Sequence, residues 1–125
     1  MTMRKLLIVD DEEGVRSLVR MTLDGDGYEI LEAREGSEAL ALAREHHPDL
    51  ILLDIMLPDM SGIEICRELK SDPSMASTFV IMLTARAQHA DLGEAEDAGA
   101  DGYFTKPFSP IALIKKVETV LRSPE

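Results

Sequence analysis

The sequence predicts an α/β domain in which helices cover both faces of a parallel β-sheet. Three continuous runs of apolar residues, each four residues long, are typical of strands that are buried on both faces. Two weaker runs complete the set of predicted strands, which is Leu6–Val9, Tyr28–Glu32, Leu50–Leu53, Val80–Leu83 and Gly102–Thr105. Because strand and helix alternate along the chain, the strands must be joined by right-handed crossovers into a parallel sheet.

The segments between and after these strands carry helical patterns. The predicted helices lie around Val15–Thr22, Ser37–His47, Ile65–Leu69, Gln88–Ala98 and Leu113–Leu121. Ser109 is the predicted N-cap of the last helix, and Pro110 occupies its first helical position. Gly93 lies inside the fourth helix, where only Leu92 and alanines offer apolar surface. We therefore expect the fourth helix to be the most loosely held.

Polar side chains follow four of the predicted strands. Asp10 and Asp11 follow the first strand, Asp54 the third, Thr84 the fourth and Lys106 the fifth. A carboxylate beside a buried strand is costly unless it has a partner or a function. Because the carboxyl ends of parallel strands share one edge of a sheet, the pattern predicts one pocket with three carboxylates, a hydroxyl and an ammonium group.

This combination of groups favours phosphoryl transfer. The carboxylate of Asp54 can accept a phosphoryl group and form an acyl phosphate. Asp10 and Asp11 would repel Asp54 unless a divalent cation joined them, and Mg²⁺ suits a few carboxylates together with water. Lys106 and the hydroxyl of Thr84 can both contact phosphate oxygens.

Composition limits the other function classes. The net charge of −11, from 13 basic and 24 acidic residues, argues against direct binding of nucleic acid. Cys66 is the only cysteine, which favours a reducing compartment, and no apolar run approaches the length of a signal peptide core or a membrane span. We expect a soluble, cytoplasmic protein with one domain over residues 1–125. Residues 123–125 are either a natural end or the start of a linker.

Four motifs resemble the receiver domain of bacterial two-component response regulators. They are Leu7–Glu12, Leu53–Gly62, Leu83–Arg86 and Gly99–Phe108, and the resemblance covers essentially the whole chain. It implies a flavodoxin-like (βα)5 fold with the strand order 2-1-3-4-5. It also implies a signalling protein rather than an enzyme, which is controlled by phosphorylation.

The resemblance assigns roles in the pocket. Asp54 would accept the phosphoryl group from a sensor histidine kinase or a phosphotransfer protein. Mg²⁺ would be held by Asp11, Asp54 and the backbone carbonyl of Met56, with Asp10 acting mainly through metal-bound water. Lys106 would contact the phosphoryl group.

The same resemblance implies a switch and a control of lifetime. Thr84 and Tyr103 would form the switch pair, and the bond before Pro107 would be cis. Met56 and Arg86 would flank the path of the water that hydrolyses the phosphorylated aspartate, which is similar to the receivers of winged-helix transcription factors. These two positions are therefore expected to tune the phosphoryl lifetime.

The expected partners are a kinase upstream and an output domain or effector protein downstream. In the fourth helix, Leu92, Glu94 and Glu96 depart from the residues typical of the winged-helix subfamily, and Gly102 replaces an acidic residue. We therefore expect a monomer or a weak, phosphorylation-dependent dimer.

Three alternatives fit the sequence less well. A phosphatase of the haloacid dehalogenase type needs a second acid two residues after the nucleophile, where this chain has Met56. A degenerate receiver, acting only as a binding module, is disfavoured because all the acidic, hydroxyl and basic positions are intact. A flavodoxin-like cofactor binder would need a phosphate-binding loop after the first strand, where the acidic run 10–13 would repel phosphate.

Overall fold

The computed structural model describes residues 3–24, 27–84 and 92–121. Its strands are β1 Arg4–Val9, β2 Tyr28–Ala33, β3 Leu50–Asp54, β4 Phe79–Thr84 and β5 Gly102–Thr105. Its α-helices are α1 Glu13–Leu23, α2 Gly36–His46, α3 Gly62–Lys70, α4 Leu92–Asp97 and α5 Pro110–Leu121. The predicted start of the fourth helix at Gln88, the side chain of Leu92 and the possible linker 123–125 lie outside the described residues.

The strands form one parallel sheet in the order β2-β1-β3-β4-β5. This order confirms the flavodoxin-like topology that the resemblance implies. The register places Val9 beside Leu53, and Asp54 beside Leu83. The carboxyl ends of β1, β3 and β4 therefore lie at the same level along one edge of the sheet, where their following residues can meet.

Alternate side chains of the central strands enter two separate hydrophobic cores. Leu7 and Val9 face a core formed with α2, α3 and α4, whereas Leu6 and Ile8 face a core formed with α1 and α5. This division confirms that helices cover both faces of the sheet. Cys66 is fully buried in the first core, as predicted, and burial raises the pKa of its thiol to about 11.

The connection from β3 to α3 is closed by tight backbone packing. A side chain at Gly62 would collide with the backbone carbonyl of Asp54, so this position requires glycine. The amide of Gly62 donates to the carbonyl of Ile55 at 2.7 Å, and Ser61 caps α3 by accepting a bond from Ile63 N at 3.1 Å. The start of α3 is thereby fixed against the end of the strand that carries Asp54.

The connection from β5 to α5 is also well defined. The amide of Lys106 donates to the carbonyl of Thr84 at 2.8 Å, which continues the pairing of β4 with β5, and the following Lys106–Pro107 bond is cis, as expected. Ser109 caps α5 by accepting a bond from Ala112 N at 3.1 Å, as predicted. Among the described residues, no helix has both the length and the apolar character that a membrane span requires.

Candidate functional site

The structure brings the predicted acidic residues together at the carboxyl edge of the sheet. Asp10 is completely buried, Asp54 is buried at the end of β3, and Asp11 is exposed at the pocket mouth. One carboxylate oxygen from each of these residues lies within 4.8 Å of the other two. Three separate carboxylates can therefore approach the same bound ion or group.

Lys106 supplies a positive charge to this cluster. Its Nζ lies 2.8 Å from Asp10 Oδ2, 3.3 Å from Glu12 Oε1 and 3.5 Å from Asp54 Oδ2. Burial alone would lower the pKa of Lys106, but the contact with Asp10 and the charges of Asp54 and Asp10 outweigh burial and raise the pKa above 10.5. The side chain is therefore an ammonium ion at neutral pH.

One ammonium does not neutralise the pocket. The pKa of Asp54 is raised to about 6, because burial and the negative charge of Asp10 raise it more than Lys106 and a bond from Met56 N at 3.4 Å lower it. The pocket thus carries excess negative charge. A further cation would stabilise the ionised form of Asp54, which is the nucleophilic form.

The oxygen atoms of the pocket fit a small divalent cation. Asp10 Oδ1 accepts a bond from Glu12 N at 2.9 Å, but Asp10 Oδ2 is buried and receives no hydrogen bond of good geometry from the described residues. The nearby Lys106 satisfies it as an ion pair only. A buried oxygen with spare capacity beside two further carboxylates is suited to Mg²⁺, which binds a few protein oxygens and retains water.

Met56 lies at the rim of the pocket. Met56 is 66% exposed, and its backbone forms an isolated bridge with Ser61 across the loop between β3 and α3. Its amide lies 3.4 Å from Asp54 Oδ1, and the expected roles of its backbone carbonyl and side chain stay predictions. Arg86, the other residue expected to tune the lifetime, lies outside the described residues.

The two predicted switch residues differ in exposure. Thr84 is fully buried at the end of β4 and pairs in register with Thr105. Tyr103, on the neighbouring β5, is 48% exposed, although it is a large aromatic residue. The two residues therefore lie on adjacent strands, with Thr84 buried at the end of β4 and Tyr103 partly exposed to solvent.

Arg16 is a component of the site that the sequence analysis missed. It is only 9% exposed, its Nη1 donates to the backbone carbonyl of Asp10 at 2.8 Å, and its Nε donates to Glu32 Oε1 at 3.1 Å. An arginine in an amphipathic helix usually faces solvent. The sequence does contain a sign that Arg16 is buried, which is its helical spacing. It lies three residues before Val19 and seven before Leu23, which are the other buried residues of α1.

Asp59 is a second residue that the sequence analysis missed. Its carboxylate accepts bonds from the amides of Gly36 at 2.7 Å and Ser37 at 3.0 Å, at the start of α2. These two bonds lower the pKa of Asp59 below its ordinary value of 3.8. Glu35, the residue at the N-cap, makes no side-chain cap of its own. The loop after Asp54 therefore supplies the cap of a different helix.

Comparison with known proteins agrees with this architecture. Residues 6–118 match the family described as the response regulator receiver domain. The chain is 42% identical over 122 residues to the alkaline phosphatase synthesis transcriptional regulatory protein PhoP of Bacillus subtilis, covering 98% of this chain and 50% of that protein. It is 44% identical over 119 residues to the phosphate regulon transcriptional regulatory protein PhoB of Pseudomonas aeruginosa, covering 95% of this chain and 52% of that protein.

A solved structure extends the comparison to three dimensions. The chemotaxis response regulator CheY4 of Vibrio cholerae superposes with a TM-score of 0.89 at 36% identity, covering 95% of this chain and 99% of that chain. The present chain spans about half the length of the two curated relatives described above. The match of sequence and fold over nearly its whole length shows that this chain belongs to the response regulator receiver domain family.

Proposed function

We propose that this receiver domain accepts a phosphoryl group on Asp54 from a sensor histidine kinase or a phosphotransfer protein. The observation that carries the proposal is the position of Asp54 between two further carboxylates and the ammonium of Lys106. A carboxylate oxygen of Asp54 attacks phosphorus, and the phosphorus–nitrogen bond to the donor histidine breaks. The electron pair of that bond remains on the imidazole nitrogen. A proton from solvent on the imidazole lets the ring leave in its neutral form.

The acidic cluster is the proposed Mg²⁺ site. Asp11, Asp54 and the backbone carbonyl of Met56 would hold the ion directly, and Asp10 would contribute mainly through water. When bound, Mg²⁺ supplies positive charge that balances the carboxylates and the phosphoryl oxygens. The buried Asp10 Oδ2 and the clustering of the three carboxylates support this assignment.

Lys106 and Thr84 bind the phosphoryl oxygens in the proposed product. Lys106 already lies 3.5 Å from Asp54 Oδ2, so a short movement of its flexible side chain brings the ammonium to a phosphoryl oxygen. Thr84, at the end of the adjacent strand, donates its hydroxyl to another oxygen. Both groups stabilise negative charge without forming a covalent bond.

The response is a change of conformation at Thr84 and Tyr103. When the hydroxyl of Thr84 turns to the phosphoryl group, Tyr103 moves from its exposed position toward the space on the same side of β4 and β5. The phosphoryl group stabilises one of two arrangements, which is the physical basis of a switch. The half-exposed position of Tyr103 supports this proposal.

The proposed output lies beyond this domain. PhoP and PhoB are named as transcriptional regulatory proteins, and this chain matches about half of each. We propose that the switch acts on an output domain or an effector protein, and that the domain is a monomer or a weak, phosphorylation-dependent dimer. The net charge of −11 argues against direct contact of this domain with nucleic acid.

A phosphorylation assay tests the proposal. The protein is incubated with a small acyl phosphate and Mg²⁺, and the intact mass and peptide masses are measured. We expect one added phosphoryl group on wild type, located at Asp54, and no addition to Asp54→Asn. Asp59→Asn is the matched control, because it alters another acid in the same loop, and it should label normally. Labelling of Asp54→Asn at the wild-type rate would overturn the assignment.

A further inference from the structure

A cluster of charged residues lies directly behind the acidic pocket. Arg16 and Arg20 project from α1 and both bind Glu32 of β2, with Nε to oxygen distances of 3.1 and 2.6 Å. Only Arg16 also reaches the pocket, where it donates to the carbonyl of Asp10 at 2.8 Å. Arg20 instead donates to the carbonyl of Ile30 at 3.2 Å. The two arginines therefore share a partner and a helix but contact different parts of the backbone.

The contact from Arg16 falls where the regular hydrogen bonding of the sheet ends. β1 ends at Val9, and Asp10 N makes a last bond, to the carbonyl of Ala33 at 3.1 Å. A buried carbonyl at this point needs another donor, which Arg16 provides. The carbonyl of Asp10 and the amide of Asp11 belong to one planar peptide unit. Fixing the carbonyl therefore also fixes the direction in which the chain enters Asp11.

The guanidinium of Arg16 is held in place by a carboxylate from a different element. Glu32 accepts the Nε bond of Arg16 and is also bound by Arg20, so the three side chains together carry one net positive charge. Because Arg16 and Arg20 contribute equally to that charge, they differ in geometry, and only Arg16 contacts Asp10. A planar guanidinium can hold a carboxylate and a carbonyl at once in a fixed arrangement, which a lysine cannot do.

We propose that Arg16 is a positioning residue for the metal site, fixing the Asp10–Asp11 peptide so that both carboxylates face Asp54. This inference rests on the proposed function of the pocket. It adds to the site a residue that lies outside the four sequence motifs described above. Arg16 does not touch the ion or the phosphoryl group. It acts through the backbone that carries two of the carboxylates.

A comparison of Arg16→Met with Arg20→Met tests the proposal. Both variants remove a guanidinium that binds Glu32, but only the first removes the donor to Asp10. We expect Arg16→Met to weaken Mg²⁺ binding roughly tenfold, as is typical when a residue that orients a metal ligand is lost, and Arg20→Met to change it by less than about twofold. The Mg²⁺ affinity is measured by titrating each folded protein with Mg²⁺ and following its backbone amide signals by NMR.

The same spectra report the peptide directly. We expect the amide signal of Asp11 to shift in Arg16→Met before any Mg²⁺ is added and to stay near its wild-type position in Arg20→Met. A general loss of stability would not produce this difference between two folded proteins. Equal Mg²⁺ affinities in the two variants, or an unchanged Asp11 signal in Arg16→Met, would overturn the proposal.

A second variant covers poor folding of Arg16→Met. Arg16→Lys retains the charge and the aliphatic stem, but its ammonium cannot hold Asp10 and Glu32 in the same fork. We expect it to lose several-fold in Mg²⁺ affinity, and wild-type affinity would count against the proposal. These titrations do not depend on phosphorylation. If wild type failed to label at Asp54, the proposed function would fall, whereas the comparison of Mg²⁺ affinities would still decide the role of Arg16.

Discussion

Lys106 Nζ lies 2.8 Å from Asp10 Oδ2, and the residue that carries this oxygen is completely buried. The contact makes Lys106 the principal counter-charge of the acidic pocket. Asp10 Oδ2 receives no other close donor from the described residues. The lysine that would contact the phosphoryl group therefore also stabilises the folded protein before phosphorylation, because it offsets the cost of burying an acid.

We expect Lys106→Met to lower the free energy of unfolding by about 2 kcal/mol in the absence of divalent ions, since a buried carboxyl loses its partner. Mg²⁺ should then stabilise the variant more than it stabilises wild type, because the ion replaces the lost positive charge. Urea unfolding with and without Mg²⁺ measures both effects.

The control for this prediction is Lys115→Met, which changes an exposed lysine on α5. It should leave both the stability and the gain from Mg²⁺ close to wild type. If Lys106→Met unfolded at the same urea concentration as Lys115→Met under both conditions, Lys106 would not be the counter-charge of Asp10.

The fold could be predicted because its main determinants are local. Four-residue apolar runs such as Leu50–Leu53 predict a strand that is buried on both faces. The polar residue that follows the run marks the end of the strand. Alternation of strands with helices then fixes a parallel sheet. The convergence of Asp10, Asp54 and Lys106 follows from that topology alone.

The supporting contacts could not be predicted in the same way. Arg16 and Asp59 both bind backbone atoms of other segments, at Asp10 and at Gly36. Such a bond leaves no pattern in the partner's sequence, because every residue offers the same backbone groups. The resemblance placed Lys106 at the phosphoryl group, but only the structure identifies Asp10 as its nearest partner.

Asp59→Ala is expected to lower the melting temperature by a few degrees, because the first amides of α2 lose their cap. Asp59→Asn should retain only part of the stability, since its single amide oxygen can accept one of the two bonds that Oδ1 and Oδ2 of Asp59 accept. Thermal unfolding followed by circular dichroism measures the change. A melting temperature for Asp59→Ala equal to that of wild type would show that the cap contributes nothing measurable.

The salt bridges of Glu32 predict a dependence of stability on pH. Burial raises the pKa of Glu32, but the bonds and charges of Arg20 and Arg16 outweigh burial and lower the pKa below 4.5. A carboxyl with a lowered pKa stabilises the fold at pH values above its unfolded pKa. This stabilisation is lost as the pH falls through the folded pKa.

We therefore expect wild type to be more stable than Glu32→Gln at neutral pH, with the difference shrinking as the pH falls below 4.5. Protonated Glu32 and glutamine are alike in charge, so the two proteins converge in acid. Urea unfolding of both proteins at a series of pH values measures this difference in the free energy of unfolding. The other acids are present in both proteins, so their contributions cancel in the difference. A difference that stayed constant with pH would contradict the assignment.

Met56 offers a prediction about the lifetime of the proposed phosphoryl group. Met56 is 66% exposed at the rim of the pocket. Its thioether has no proton to donate and accepts hydrogen bonds only weakly, so it cannot hold a water molecule in place. An amide at this position can orient the attacking water toward phosphorus. We expect Met56→Asn to accelerate dephosphorylation roughly tenfold, which corresponds to about 1.4 kcal/mol of barrier.

The decay of the labelled protein, followed after removal of the phosphodonor, measures this rate. Met21→Asn is the matched control, because Met21 is 79% exposed on α1 and the same chemical change there should leave the rate unaltered. Since Met56 contributes its backbone to the proposed metal site and its side chain to the rim, a change of side chain should alter hydrolysis more than Mg²⁺ affinity. If Met56→Asn lost phosphate no faster than Met21→Asn, the side chain at the rim would not control the access of water.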